Sequence, residues 1–141
     1  MNPPATAPTD ARPNFPLELA AVYVGGGIGT LLRFALVEWI PVSGAEWPWH
    51  TFIANIAACL VLSFVIAHRS NGWGSDARLA LLGSGFCGGL STFSTFQLEL
   101  YKMIDVGSYL LAVGYLAASV FVGFLAITLA RRFVSRGEDV A

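Results

Sequence analysis

The third apolar stretch of the chain contains the sequence GFCGGLSTFSTFQLE at residues 85–99. Glycines and hydroxyl side chains stand here at positions where plain aliphatic residues would suit a membrane helix better. Glycine in a helix interior costs roughly 1 kcal/mol relative to alanine, and hydrocarbon penalises every backbone polar group left without a partner. This composition therefore predicts a membrane helix that opens near residues 88–92 and contacts a ligand or a closely packed neighbour.

The whole chain is too apolar for a soluble domain. Of its 141 residues, 55% are hydrophobic and 12% are charged, whereas soluble domains carry roughly 25% charged residues. A transmembrane helix needs about 20 mostly apolar residues, and four stretches approach or exceed this length, at 19–37, 47–68, 79–98 and 106–130. We therefore predict an all-α integral membrane fold with four transmembrane helices and no room for a soluble catalytic domain.

The transmembrane domain is placed at residues 17–133, with a tail at each end. Residues 1–16 contain five prolines and little hydrophobic periodicity, which is typical of a disordered tail, and residues 134–141 form a short polar tail. Arginines are more numerous on the side of the membrane that the two termini share. The positive-inside rule then favours both termini in the cytoplasm, and we predict a multi-pass protein of the inner (cytoplasmic) membrane.

The first two spans each carry polar or small residues at helical spacing. Gly25 and Gly29 are four residues apart, a spacing that lets two helix backbones approach closely in lipid. Arg33 follows one turn later, where it either snorkels to the interface or attracts anions at a pore mouth. In the second span, Thr51 and Asn55 share one side of the helix. Asn55 either joins helices or offers its amide N–H groups to a desolvated anion.

The third and fourth spans carry the other candidate residues. An opening at residues 88–92 would expose carbonyls that form an oxygen cage for a hard cation such as Na⁺. Phe93 and Phe96 lie three residues apart on one face, where spacing alone favours packing. Tyr115 and Ser119 form a hydroxyl stripe on the fourth span, and hydroxyl contacts between helices are the alternative interpretation.

Other chemistry-bearing residues form no predicted catalytic or metal constellation, so we do not predict an enzyme. Cys59 and Cys87 both fall within spans and are interpreted as small apolar fillers. His50 and His68 lie near opposite ends of one span and cannot share a metal within a monomer. Glu99, at the end of the third span, is interpreted as an interfacial charge. The net charge of −1 argues against nucleic-acid binding.

These motifs together resemble the small fluoride channels called Fluc or CrcB, over roughly residues 19–132. The strongest match is GGLSTFSTF at 88–96, followed at the usual interval by Glu99. GGGIGTLLR at 25–33 resembles the first-span signature, and Thr51-x-x-x-Asn55 resembles the second. The chain departs from the pattern at four positions, where it has Ser91 for threonine, Thr30 for alanine, and His50 and Ala58 for glycine.

The resemblance implies a particular assembly and a particular role. The fold it implies is an antiparallel, dual-topology dimer with a broken third helix, two fluoride pathways and a central structural Na⁺. The role it implies is passive fluoride export from the cytoplasm. The residues it implies are Gly88 and Ser91 as backbone-carbonyl ligands of Na⁺, Arg33 at a pore vestibule, and a fluoride pathway formed by Asn55, Phe93, Thr95, Phe96, Tyr115 and Ser119.

Three alternatives stay open at this point. The arginine bias favours one orientation, so the partner is either an identical copy or an oppositely oriented paralogue. A proton-coupled multidrug transporter needs a carboxylate midway along the first helix, but Glu18 and Glu38 lie at the ends of that span. A non-conducting membrane scaffold would use Asn55, Phe93 and Phe96 only for packing.

Overall fold

The computed structural model describes residues 15–44, 46–69 and 75–138, and the regular structure within these ranges is helical. The element order is α1 (Phe15–Trp39), α2 (Trp49–Arg69), α3 (Asp76–Leu79), a π-helical segment (Ala80–Cys87), α4 (Gly88–Leu90), α5 (Phe93–Asp105) and α6 (Tyr109–Glu138). A π-helix has wider turns than an α-helix and is uncommon at this length. Together α3, the π-helical segment, α4 and α5 form the third span.

Within the part of the chain that the structure describes, four helical spans are long and apolar enough to cross a membrane, which confirms the predicted all-α, four-span fold. They cover Phe15–Trp39, Trp49–His68, Asp76–Asp105 and Tyr109–Arg132. In each span, between 11% and 33% of an 18-residue apolar segment is buried inside the protein. The remaining apolar faces must therefore contact lipid or another protein.

The first and last helices extend beyond the apolar stretches at 19–37 and 106–130. Helix α1 begins at Phe15, and Pro16 is tolerated in its first turn because the missing N–H would have no helical partner there. Helix α6 continues to Glu138, since its backbone hydrogen bonds do not depend on how apolar the side chains are. Most of the predicted N-terminal tail, at 1–14, and residues 139–141 lie outside the described residues.

Glycines bring α1 and the third span into backbone contact. A Cβ atom added to Gly29 would overlap the carbonyl oxygen of Phe86, and one added to Gly25 would overlap the carbonyl oxygen of Leu81. From the other side, a Cβ added to Gly89 would overlap the carbonyl oxygen of Gly26. The close approach predicted from the small residues at 25–29 is therefore confirmed, and it fixes the third span against the first.

The third span is interrupted between α4 and α5. Ser91 has φ −75° and ψ 155°, and Thr92 has φ −149° and ψ 121°. These two extended residues separate the helical turn at Gly88–Leu90 from the longer helix that begins at Phe93. Extended backbone at this depth needs hydrogen-bond partners from elsewhere in the protein, and α2 supplies them.

Candidate functional site

The Asn55 side chain on α2 pairs with the backbone of Thr92 through two hydrogen bonds. The Thr92 N–H donates to Asn55 Oδ1 at 2.8 Å, and Asn55 Nδ2 donates to the Thr92 carbonyl oxygen at 3.2 Å. A carboxamide carries one acceptor and one donor group on the same plane, so it matches both polar groups of one extended residue. Asn55 thus supplies the hydrogen bonds that the third span loses where its helix stops.

Thr92 also begins the next helix as the N-cap of α5. Its Oγ1 accepts a hydrogen bond from the Thr95 N–H at 3.3 Å and donates to Thr95 Oγ1 at 2.9 Å. Threonine is a preferred N-cap residue because its hydroxyl satisfies an N–H of the first turn. The two hydroxyls therefore lie together directly after the interruption.

Because of these contacts, two backbone carbonyl groups lose the N–H donors that a continuous helix would give them. In a continuous α-helix, the N–H of Thr92 would donate to the carbonyl of Gly88, and the N–H of Thr95 to that of Ser91. Here the Thr92 N–H donates to Asn55 and the Thr95 N–H donates to the Thr92 side chain. The carbonyls of Gly88 and Ser91 therefore do not receive these helical donors.

Glu99 lies at the centre of a second polar cluster between the spans. Its Oε1 accepts a hydrogen bond from Thr51 Oγ1 at 2.6 Å and lies 3.2 Å from His50 Nε2, and its Oε2 accepts one from the Tyr115 hydroxyl at 2.9 Å. The Glu99 side chain is 12% exposed and that of His50 is 13% exposed. The sequence interpretation of Glu99 as an interfacial charge is therefore wrong, because α2 and α6 each cover one of its oxygens.

A groove beside the interruption collects most of the residues predicted from the sequence. Its volume is about 540 Å³. Six predicted site residues line it: Asn55, Gly88, Ser91, Phe93, Phe96 and Ser119. Ser119 Oγ is buried and has no hydrogen-bond partner within the described part of the chain, so this hydroxyl keeps an unused hydrogen-bonding capacity beside the groove.

The two phenylalanines differ sharply in burial. Their ring centroids are 6.4 Å apart with an interplanar angle of 28°, so they stack as their spacing predicts. Phe93 is 71% exposed, whereas Phe96 is 9% exposed and contacts the Tyr115 ring at 5.0 Å between centroids. Phe96 is therefore held by the protein interior, while Phe93 presents most of its surface outward.

A smaller pocket lies on the other side of Thr92, which lines both cavities. It has a volume of about 230 Å³ and collects Arg33 and Thr95. His50 and Thr51 line it as well, so the Glu99 cluster adjoins it. Tyr115 lines neither cavity, and its side chain is fully buried.

The contacts of His50 and Glu99 were not predicted from the sequence. One signal in the sequence pointed to them. Thr51 and Asn55 share one face of α2, and Thr95 and Glu99 are likewise four residues apart on α5. The contacts between the two faces depend on how the helices are rotated, which the spacing within each helix does not give.

Fold and site together define a multi-pass membrane protein with a polar interior next to an interrupted helix, an arrangement typical of channels and transporters. The particular family follows from comparison with known proteins. The model of the family described as "CrcB-like protein, Camphor Resistance (CrcB)" matches residues 20–131. The chain belongs to this family, which confirms the resemblance found in its motifs.

Several curated relatives cover most of the chain. The Fluoride-specific ion channel FluC 1 of Mycolicibacterium paratuberculosis is 41% identical over 120 residues, which span 84% of this chain and 91% of that protein. The Fluoride-specific ion channel FluC of Ignicoccus hospitalis is 37% identical over 124 residues, or 87% and 94% of the two chains. FluC 2 of Nocardia farcinica is 34% identical over 125 residues, or 88% and 89%. Relatives with these names are ion channels, and the chain is not an enzyme.

Proposed function

We propose that the chain forms a fluoride-selective channel for passive fluoride export across the cytoplasmic membrane. The observation that carries this proposal is the groove beside Thr92, where amide, hydroxyl and aromatic groups meet and where no lysine or arginine among the described residues lines the wall. The names of the relatives point to fluoride as the ion. A fixed cation inside the path would hold an anion too tightly, whereas conduction requires binding weak enough for release.

The groove offers replacements for the hydration shell that fluoride must lose. The unpartnered Ser119 hydroxyl is a compact donor, and Asn55 Nδ2 has a second N–H besides the one it gives to the Thr92 carbonyl. The rings of Phe93 and Phe96 have positive edges that attract an anion weakly. Thr95 continues the hydroxyl lining in the smaller pocket, whose Arg33 attracts anions to the vestibule. The buried Tyr115 acts behind this lining, where its ring contacts Phe96.

The carbonyls of Gly88 and Ser91 fit a structural Na⁺. Their helical donors are engaged elsewhere, and unwound backbone carbonyls are known ligands of Na⁺ in membrane proteins. When bound, the ion would offset the charge of nearby anions. These carbonyls would hold it together with the same pair from a second subunit.

The second subunit is proposed to be inverted, so that the dimer has dual topology and two fluoride pathways. The exposed groove wall supports a partner here. A Cβ atom at Gly88 would meet no atom within 4 Å, and Phe93 is 71% exposed beside it. An identical copy is the simpler partner, and the arginine bias makes an inverted paralogue the alternative. Cross-linking of the chain expressed alone distinguishes them, because only a homodimer yields antiparallel cross-links.

Fluoride efflux from liposomes containing the purified protein tests the proposed function. We expect fluoride to leave rapidly when the membrane potential is clamped, and chloride to leave no faster than from protein-free liposomes. Comparable chloride efflux would overturn the selectivity, and no fluoride efflux would leave a non-conducting scaffold as the better interpretation. Because Glu99 is an interior carboxylate, the multidrug-transporter alternative is tested in parallel, and it requires flux that depends on a pH gradient.

A further inference from the structure

The two cysteines of the chain lie in the groove and take no part in the proposed anion path. Cys59 of α2 is partly buried, and Cys87, the last residue of the π-helical segment, is buried. Both are free thiols, and both line the groove of about 540 Å³. The sequence contains no other cysteine. The groove therefore collects every thiol of the chain in one place.

Two contacts fix how α2 packs against the third span on this side. The Asn55 side chain bonds to the backbone of Thr92. A Cβ atom added to Gly83 would lie 3.5 Å from Leu62 Cδ1. Between the two contacts the residue number rises along α2 and falls along the third span, so the two elements run antiparallel.

Cys59 and Cys87 both lie between these two contacts. Cys59 is four residues from one contact residue of α2 and three from the other, so the three share one face of the helix. Cys87 is five residues from one contact residue of the third span and four from the other. Each cysteine thus lies near the middle of its segment, and the two segments are joined at both ends. The thiols therefore approach each other from opposite walls of the groove.

Two thiols suit a soft metal ion that prefers two ligands. Zinc sites use three or four protein ligands, and the described residues contain no group of three or more His, Cys, Asp or Glu side chains placed to hold a metal. Soft cations prefer thiolates, and Hg²⁺ binds two of them in a line. A coordinating thiol loses its proton outright, so two S–H bonds are replaced by two S–Hg bonds and both protons leave to the solution. The product has no net charge, and no unpaired ion is left in an apolar groove.

We propose that Cys59 and Cys87 form a two-coordinate site for a soft divalent cation, with Hg²⁺ as the probe, and that the bound metal obstructs the groove. The obstruction rests on the proposed function of the groove, whereas the metal site does not. Cys59 follows Asn55 by one helical turn. A Cβ atom added to Gly123, one turn after Ser119 on α6, would lie 3.9 Å from Cys59 Sγ. A metal held by the thiols therefore lies beside the amide and hydroxyl groups that line the groove.

Mass spectrometry of the purified protein tests the site without any measurement of flux. The full chain in detergent is incubated with an equimolar amount of mercuric nitrate, desalted and analysed under denaturing conditions. We expect each chain to gain the mass of one mercury less two protons, and both thiols to become unreactive toward a thiol-specific chromophore. Thiols that remain reactive, or mercury that joins two chains instead of two thiols of one chain, would overturn the site.

Serine variants separate a two-thiol site from reaction at a single thiol. Cys59→Ser and Cys87→Ser each keep one thiol and a side chain of similar size. The second bond of a two-point site forms intramolecularly, which strengthens binding by roughly 10²- to 10⁴-fold. Each variant should therefore need at least about 100-fold more Hg²⁺ than the wild type for the same fractional loss of fluoride efflux. Methylmercury binds one thiol only, and as the control reagent it should bind the wild type and both variants with similar affinity.

The outcomes separate the site from the function. If a serine variant does not reconstitute, the alanine variant at the same position replaces it. Equal sensitivity of the wild type and both variants to Hg²⁺ would overturn the two-thiol site. Mercury bound by both thiols with unchanged fluoride efflux would overturn the obstruction of the groove. Absence of fluoride efflux from the metal-free wild type would instead overturn the proposed function, and the mass measurement would still decide the site.

Discussion

Asn55 and Thr92 are joined by two hydrogen bonds across two spans, at 2.8 Å and 3.2 Å. The pair satisfies both backbone groups of an extended residue where the third span is interrupted. It also forms part of the boundary between two cavities, because Thr92 lines both of them and Asn55 lines the larger one. One side chain therefore stabilises the interruption and contributes to the wall of the proposed anion path.

Asn55→Asp should destabilise the fold and reduce fluoride efflux. The aspartate can still accept from the Thr92 N–H, but it has no donor for the Thr92 carbonyl, and each buried group left unpaired costs about 1–3 kcal/mol. Denaturation in detergent, followed by tryptophan fluorescence, measures the loss. Ser63→Ala is the matched control on α2, because the Ser63 hydroxyl donates to the Cys59 carbonyl of its own helix. Equal stabilities of the two variants would contradict the assigned role of Asn55.

Gly29→Ala should disrupt the packing of α1 on the third span. The added methyl would overlap the carbonyl oxygen of Phe86, which is backbone and cannot move aside without shifting a helix. A control lies two residues away, where a Cβ at Gly27 would meet no atom within 4 Å. Gly27→Ala should be neutral or stabilising by up to about 1 kcal/mol, the difference in helix propensity. We expect Gly29→Ala to lower the unfolding temperature in detergent. Equal unfolding temperatures for Gly29→Ala and Gly27→Ala would contradict the close contact between Gly29 and Phe86.

Hydropathy and spacing predicted the four spans and the close packing of glycines, because both follow from local sequence. The motif at 88–96 also led to Gly88, Ser91 and Phe96, which the structure brings to one groove. The polar cluster at Glu99 was not predicted. Its donors come from α2 and α6, more than a dozen residues away in sequence, and only the rotation of each helix determines which polar faces meet.

Phe96→Ile should reduce fluoride efflux by about tenfold or more, a barrier increase of about 1.4 kcal/mol. Isoleucine retains an apolar side chain but has no ring edge for the anion, and the buried ring contacts Tyr115. The control is Phe121→Ile on α6, whose side chain is 63% exposed and lies outside the groove. Unchanged efflux in Phe96→Ile, with normal reconstitution, would favour the scaffold interpretation.

Replacing Na⁺ by a large organic cation should weaken the proposed dimer. If the carbonyls of Gly88 and Ser91 hold Na⁺, its removal withdraws a ligand that binds only the assembled state, worth about 2.7 kcal/mol at 100 times the dissociation constant. Cross-linking yield and thermal stability at constant ionic strength measure the effect. Ser91→Ala should retain the Na⁺ dependence, because the proposed ligand is the backbone carbonyl. Thermal stability that is the same with and without Na⁺ would contradict the proposed Na⁺ site.

Thr51→Val and Tyr115→Phe should each destabilise the protein by about 1.5–3 kcal/mol, since each removes a hydrogen bond to a charged group. The two hydroxyls donate to different oxygens of Glu99. After either substitution, the remaining hydrogen bond therefore contributes more to the stability of the buried carboxylate. The double variant should then deviate from additivity by about 0.5–3 kcal/mol, as expected for residues in one network. Tyr101→Phe is the matched control, because Tyr101 is 63% exposed on α5. If the Tyr115→Phe and Tyr101→Phe variants were equally stable, the hydrogen bond from Tyr115 to Glu99 would not contribute to stability.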